Sequence, residues 1–268
     1  MTSQYKANTL DELEALSVRV KLRLLEMHHT SHTGHIGGNL SCIDAMLVLH
    51  HLVMLPGDKF LLSKGHSAGA LYSVLWSIGA LTEEDLRSYY QDGTRLAGHP
   101  PAFGVPEIEF ATGSLGHGPS LAAGQALALK LARRPGHVWC ITSDGEWQEG
   151  SCWEALTFAR HNALTNLTLL VDVNGLQGFG TTREVASFHD LEARFNGFGV
   201  HTASVDGHDH ALLVKELSSH RGAGPGVILL NTVKGNGISF LENRLESHYL
   251  PLSEEQYLQA LDELQGKA

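Results

Sequence analysis

The sequence predicts a single α/β domain over residues 1–268, a mostly parallel sheet flanked by helices. Three observations predict it. Short apolar runs alternate with helical patterns along the chain, and strands buried on both faces read as continuous apolar runs. The stretch from His137 to Gly180 holds a complete strand–helix–strand unit. Its strands are expected at His137–Thr142 and Asn166–Val173, with Trp153, Leu156, Phe158 and Ala159 at helical spacing between them. Finally, 268 residues with 43% hydrophobic and 18% charged side chains suffice for a sizeable core.

Each element has a local reason. Thr9-Leu-Asp-Glu12 has the form of a capping box, and Leu13, Leu16, Val20, Leu24 and Met27 share one face of a helix to about His29. Ser31–Gly38 reads as a glycine-rich loop, after which Asn39 caps a second helix to about Val53. Pro56-Gly57-Asp58 turns into a short strand, Phe60–Leu62, and Ala68–Trp76 returns to helix. Thr82 opens a short helix ending near Tyr90. The chain then crosses a long irregular region, Asp92–Pro119, of the kind that usually carries function. A helix from Pro119 to about Arg133 leads into the central unit. Beyond it come a loop and helix over Thr181–Asn196, a strand at Val200–Val205, a helix at Asp209–His220, a strand at Val227–Thr232, and an amphipathic tail helix over Leu252–Leu264.

Composition narrows the function classes. A net charge of −10 argues against nucleic acid, which needs a basic surface. Cys42, Cys140 and Cys152 lie far apart, in neither a disulfide framework nor a zinc spacing. The opening MTSQYKANTLDEL lacks a secretory pattern and no apolar run approaches ~18 residues, so no membrane association is expected, and a cytoplasmic, reduced setting is. His28, His29, His32 and His35 crowd one junction, but they lie partly in a loop with no cysteine nearby, which disfavours zinc. No G-x-G-x-x-G or Walker loop follows an expected strand, which disfavours a nucleotide-binding module.

The chemistry concentrates at strand ends. Ser143-Asp144-Gly145 follows the first central strand, and Asp172-Val173-Asn174-Gly175 closes the second. Ligands of parallel sheets sit beyond the carboxyl ends of the strands. A carboxylate from Asp144 and an amide oxygen from Asn174 are hard ligands suited to Mg²⁺ and the phosphate oxygens it would bridge. The neighbouring glycines admit close backbone approach to a diphosphate. The same dipeptides are also ordinary turn signals. Two histidines stand just past expected elements, His35 after the first helix and His66 after the first strand. A solvated loop residue is the plain alternative for His35, and a helix-capping or core role for His66.

The paired Asp144 and Asn174 turns resemble the thiamine-diphosphate fingerprint, and Gly145-Glu-Trp-Gln-Glu-Gly-Ser-Cys-Trp-Glu-Ala155 is similar to the transketolase version of it. Ser143 stands where the fingerprint has its first glycine. Gly34-His35-Ile36-Gly37-Gly38, Asp58 through His66, Gly98-His99-Pro100, Thr112–Gly118 and Lys234-Gly-Asn-Gly237 with the downstream His248 resemble further transketolase motifs, in the family's order. His117 stands where the family commonly has Gln.

The resemblance implies a thiamine-diphosphate-binding fold of the diphosphate-binding type. It implies metal ligation (Mg²⁺, or Ca²⁺ or Mn²⁺) by Asp144, Asn174 and the Leu176 carbonyl, with Asp172 orienting that loop. It implies cofactor contacts from His66, Gly113, Ser114, Leu115, Asp144, Gly145, Glu146, Asn174, Leu176, Lys234 and His248. Proton handling and substrate contacts fall to His35, His66, His99 and His248, and a carboxylate network to Glu149 and Glu154. The implied reaction moves a two-carbon ketol unit from a ketose or ketose phosphate to an aldehyde, the cofactor supplying the hard chemistry. The matching region is only the N-terminal third of a full-length transketolase. The expected partner is therefore a separate C-terminal, pyrimidine-binding subunit that supplies the activating Glu, most simply in a two-plus-two heterotetramer. Two alternatives stay open: another thiamine-diphosphate enzyme subunit, for C2 or acyl transfer, and a non-catalytic cofactor-holding subunit.

Overall fold

The three central strands form because each is a short β-rich apolar run buried on both faces, while the edge strands are shorter or more polar. The computed structural model describes residues 6–187 and 190–266. Its sheet has five strands: β1 (Lys59–Leu62), β2 (Val138–Ser143), β3 (Leu167–Val173), β4 (His201–Asp206) and β5 (Gly226–Asn231). They run in the order β1-β2-β3-β5-β4, every pairing parallel. Each begins within one residue of its expected position. Alternate side chains feed two cores. Trp139, Ile141, Leu170, Ile228 and Leu230 face one, and Val138, Cys140, Leu169, Val171 and Val227 the other.

Ten α-helices among the described residues cover the two faces: α1 (Leu10–Ser31), α2 (Ile36–Val48), α3 (Ala68–Ser77), α4 (Glu83–Arg87), α5 (Gly118–Leu131), α6 (Gly150–His161), α7 (Thr182–Ala186), α8 (Leu191–Gly197), α9 (His210–His220) and α10 (Glu254–Gln265). Helices α1, α2, α3, α9 and α10 close the first core; α5, α6 and Phe195 of α8 close the second. Residues 92–117 hold no helix or strand, as expected. The three cysteines are free and buried.

Several expectations need correction. Asn39 does not cap α2; that helix already starts at Ile36, and Asn39 lies fully buried inside it. Its side chain instead donates to the His35 carbonyl at 2.8 Å and accepts the Ala70 amide at 2.7 Å. The glycines mark a close approach rather than a loop: a Cβ on Gly37 would overlap the Ser247 side chain. The capping box at α1 is half formed, because Thr9 caps the Glu12 amide while Glu12 reaches back to Asn8. Phe158 points outward, 43% exposed, whereas Leu156 and Ala159 are buried.

One apolar stretch does reach 18 residues. Ile36–Val53 is long and apolar enough to cross a membrane, but 89% of it is buried inside the protein, as a core helix would be. The single helix expected within Thr181–Asn196 is two, α7 and α8. Part of that expectation falls on residues 188–189 and part of the N-terminal reading on residues 1–5, which lie outside the described residues, as do residues 267–268 at the end of the expected domain.

Candidate active site

The carboxyl edge of the sheet is where the strand ends gather polar groups. β2 ends at Ser143, register partner of Asp172 on β3, which brings Asp144 beside the loop that follows β3. One Asp144 carboxylate oxygen accepts the Gly145 amide at 2.8 Å. The other accepts the Gly175 amide at 2.8 Å and the Thr182 hydroxyl at 2.9 Å. Burial, then the neighbouring Asp172, pushes the Asp144 carboxyl above its ordinary value. An acid so placed favours a cation nearby.

Asn174 sits two residues beyond Asp172, its amide oxygen accepting the Leu176 amide at 3.1 Å and its nitrogen donating to Asp172 at 3.1 Å. The Leu176 carbonyl has the Lys234 ammonium at 3.5 Å. Gly175 takes φ = 73°, with open space where a Cβ would project. A carboxylate, an amide oxygen and a carbonyl make an all-oxygen donor set, and a positively charged amine already stands against one of them. The set fits a hard divalent ion bridged to phosphate oxygens.

Asp172 is the post behind this loop. It is fully buried and ion-paired with the equally buried Lys64. It also accepts the Ser41 hydroxyl at 2.6 Å and the Thr232 hydroxyl. Burial raises its pKa, but Lys64 and these donors outweigh that and hold the carboxyl below its ordinary value. Lys64, Ser41, Thr182 and Thr232 carry no role in the sequence reading; nothing local marks them, because their partners are distant in sequence.

Four histidines from four separate segments converge above this floor. The His35 ring lies 5.6 Å from His66, 6.3 Å from His99 and 4.9 Å from His248, centroid to centroid, and His66 lies 5.5 Å from His248. Each is set by its own backbone. His35 adopts φ = 68°, its amide donating to the His248 carbonyl at 3.0 Å; a left-handed conformation outside glycine costs ~1–3 kcal/mol and persists where the surroundings fix it. His66 rides the turn after β1. His99 packs on Gly113, where a Cβ would meet the ring at 2.9 Å. His248 approaches Lys234, whose ammonium stands 3.1 Å from the imidazole Nδ1.

Burial is the first cause that lowers the pKa of all four rings, that of His248 to about 3. Burial also lowers Lys234 to about 8, with Lys64 next in effect. Lys234 and the histidines crowd together, and the nearby Asp172 and Asp144 offset the burial and Lys64 effects on Lys234 only in part, which suits an anionic ligand.

The remaining expected residues divide. Gly145 lies at the start of the turn after Asp144. Ser114 and Leu115 are exposed on the 92–117 loop, with Ser114 and His117 lining a cavity of about 500 Å³. Glu146 is fully buried, its oxygens engaged by Ser63, the Gly116 amide at 2.8 Å and the Ser143 amide at 3.2 Å. It ties the ends of β1 and β2 to the loop before α5. Glu149 and Glu154 stand exposed at the start of α6. Ser143 turns its hydroxyl to accept the Glu146 amide at 3.3 Å, which accommodates the Cβ that the fingerprint lacks. Nothing in the structure explains His117.

Residues 17–266 match the family described as transketolase, thiamine diphosphate binding domain. This chain belongs to that family. It is 38% identical to the 6-deoxy-6-sulfo-D-fructose transketolase subunit SqwG of Clostridium sp. (strain MSTE9), over 87% of this chain and 88% of that protein. It is 35% identical to an apulose-4-phosphate transketolase subunit of Actinobacillus succinogenes, over 96% of this chain and 97% of that one. Among solved structures, transketolase from Campylobacter jejuni superposes with a TM-score of 0.88 at 29% identity. That match covers 96% of this chain but 43% of the crystallised one, so the chain spans about two-fifths of a full-length transketolase. The transketolase kinship is therefore that of a transferase, at the scale of a subunit.

Proposed function

We propose that this chain is the diphosphate-binding subunit of a two-component, Mg²⁺-dependent transketolase, completed by a separate pyrimidine-binding subunit in a two-plus-two assembly. The observation that carries the reading is the convergence of His35, His66, His99 and His248 over the loop bearing Asp144 and Asn174. Relatives named as transketolase subunits along nearly their whole length support the two-component part.

Asp144, Asn174 and the Leu176 carbonyl would hold the divalent ion, and Lys234 and His66 would face the diphosphate. When bound, thiamine diphosphate supplies the carbon nucleophile that the protein lacks. The chain's own part is to orient and to move protons. Uncharged imidazoles at His35, His66, His99 and His248 both donate and accept, which suits hydroxyl and carbonyl oxygens of a ketose and its aldehyde acceptor. Glu149 and Glu154, exposed on the face of α6, would meet the partner's activating carboxylate. Gly113, Ser114 and Leu115 would border the aminopyrimidine ring.

The test is reconstitution. Purified alone, the chain transfers no ketol unit between a ketose phosphate donor and an aldehyde; adding the pyrimidine-binding partner, thiamine diphosphate and Mg²⁺ restores turnover. Robust turnover by the single chain refutes the two-component reading.

A further inference from the structure

Away from the cleft, a buried carboxylate gathers donors from three elements. Asp44 of α2 is 1% exposed. It accepts Ser17 at 3.1 Å, Lys21 at 2.9 Å, His208 Nδ1 at 3.0 Å and His210 Nε2 at 3.0 Å. Three of these contacts end there. The fourth continues, because His208 Nε2 accepts the Val233 amide at 2.9 Å. A backbone N–H can only donate, so Nε2 is unprotonated and Nδ1 carries the proton given to Asp44. The tautomer is fixed by the two partners together.

Val233 lies between two residues of the active site. Thr232 binds Asp172, and Lys234 presents its ammonium to the Leu176 carbonyl and His248. His208 itself is placed by its own amide, which donates to Asp206 at the end of β4. We infer that His208 is a positioning residue: it links the Asp44 carboxylate to the Val233 amide and so sets where Lys234 stands over the cofactor site. The inference rests on Lys234 facing the diphosphate, as proposed above. It adds a part of the machinery that touches neither substrate nor cofactor.

Two conservative variants separate the two ends of the imidazole. Asn in place of His208 keeps a donor where Nδ1 stands and loses the acceptor for Val233. Gln keeps an acceptor where Nε2 stands and loses the donor to Asp44. Three quantities are read on the chain with its partner subunit: hydrogen-exchange protection of the Val233 amide, thiamine diphosphate affinity at saturating Mg²⁺, and thermal stability. Supporting contacts of this kind typically change affinity ~10–100-fold. His208→Asn should lose Val233 protection and bind cofactor about 10-fold more weakly, whereas His208→Gln stays within about 3-fold of wild type even if its melting temperature falls further.

Equal protection and equal affinity in the two variants would overturn the inference. So would lost protection with unchanged affinity, since the amide would then be held to no effect on the cofactor. A wild-type complex that fails to bind thiamine diphosphate at all would instead sink the reading of the site.

Discussion

The Asp144 carboxylate accepts the Gly175 amide at 2.8 Å, tying the end of β2 to the loop after β3. This bond sets the two strand ends at one height, so that the Asp144, Asn174 and Leu176 oxygens belong to one loop cluster. The charge of Asp144 is the part that a cation needs. Asp144→Asn keeps the shape and removes the charge. It is expected to weaken Mg²⁺-dependent thiamine diphosphate binding by more than about 100-fold, beyond the usual cost of a supporting contact. Calorimetric titration with the partner present checks it; an unchanged affinity counts against the clasp.

His66 joins the histidine group from the turn after β1, with His35 and His248 as ring neighbours. Positioned acid–base groups contribute ~10²–10⁴-fold in rate. His66→Ala is expected to lower kcat by that order while size-exclusion chromatography shows the complex still assembled. A near-normal rate would remove His66 from the catalytic set.

Lys64 and Asp172 are both fully buried and paired. Lys64→Met leaves the Asp172 charge uncompensated in the interior, which costs ~3–5 kcal/mol in comparable pairs. Denaturant unfolding should show a loss of that order, together with weakened cofactor binding because the carboxylate that accepts the Asn174 amide loses the cation that fixes it. A loss below about 1 kcal/mol would mean that water reaches the pair.

Burial pushes the Asp44 carboxyl up, but Lys21, His208 and His210 outweigh it and hold the group well below its ordinary value of 3.8. A carboxyl depressed in the folded state stabilises fully above its unfolded pKa, and that stability is lost as pH falls through the folded value. Stability measured by urea should therefore fall steeply below about pH 4 for wild type. Asp44→Asn should be weaker by ~1.5–3 kcal/mol at pH 7, the worth of hydrogen bonds to a charged group, and flatter with acid. Parallel curves for the two proteins would contradict the assignment.

The centre of the sheet was legible because its strands are apolar runs closed by polar turn residues, a signal that needs no knowledge of what packs on them; the edge strand β4, His201-Thr-Ala-Ser-Val-Asp206, carries that signal only weakly. The histidines were legible through the short motifs around them. What stayed hidden depends on distant partners. Nothing around Lys64 in the sequence points to Asp172, 108 positions away, which pairs with it in the interior. Thr182 reaches Asp144 across 38 positions. Gly37 and Gly38 suggest a loop because glycine is conformationally loose, but the close approach of Ser247 to Gly37 explains the glycine there, inside a helix. Phe158 fits the helical period yet lies exposed, since period alone does not say which face meets the sheet.

The central claim is that oxygens from Asp144, Asn174 and Leu176 hold the ion that carries the coenzyme. A crystal of the chain with its partner, thiamine diphosphate and Mn²⁺ tests it through anomalous scattering. The account predicts one peak ligated by the Asp144 carboxylate, the Asn174 amide oxygen and the Leu176 carbonyl; a peak elsewhere, or coenzyme bound with no ion at these three residues, would contradict it.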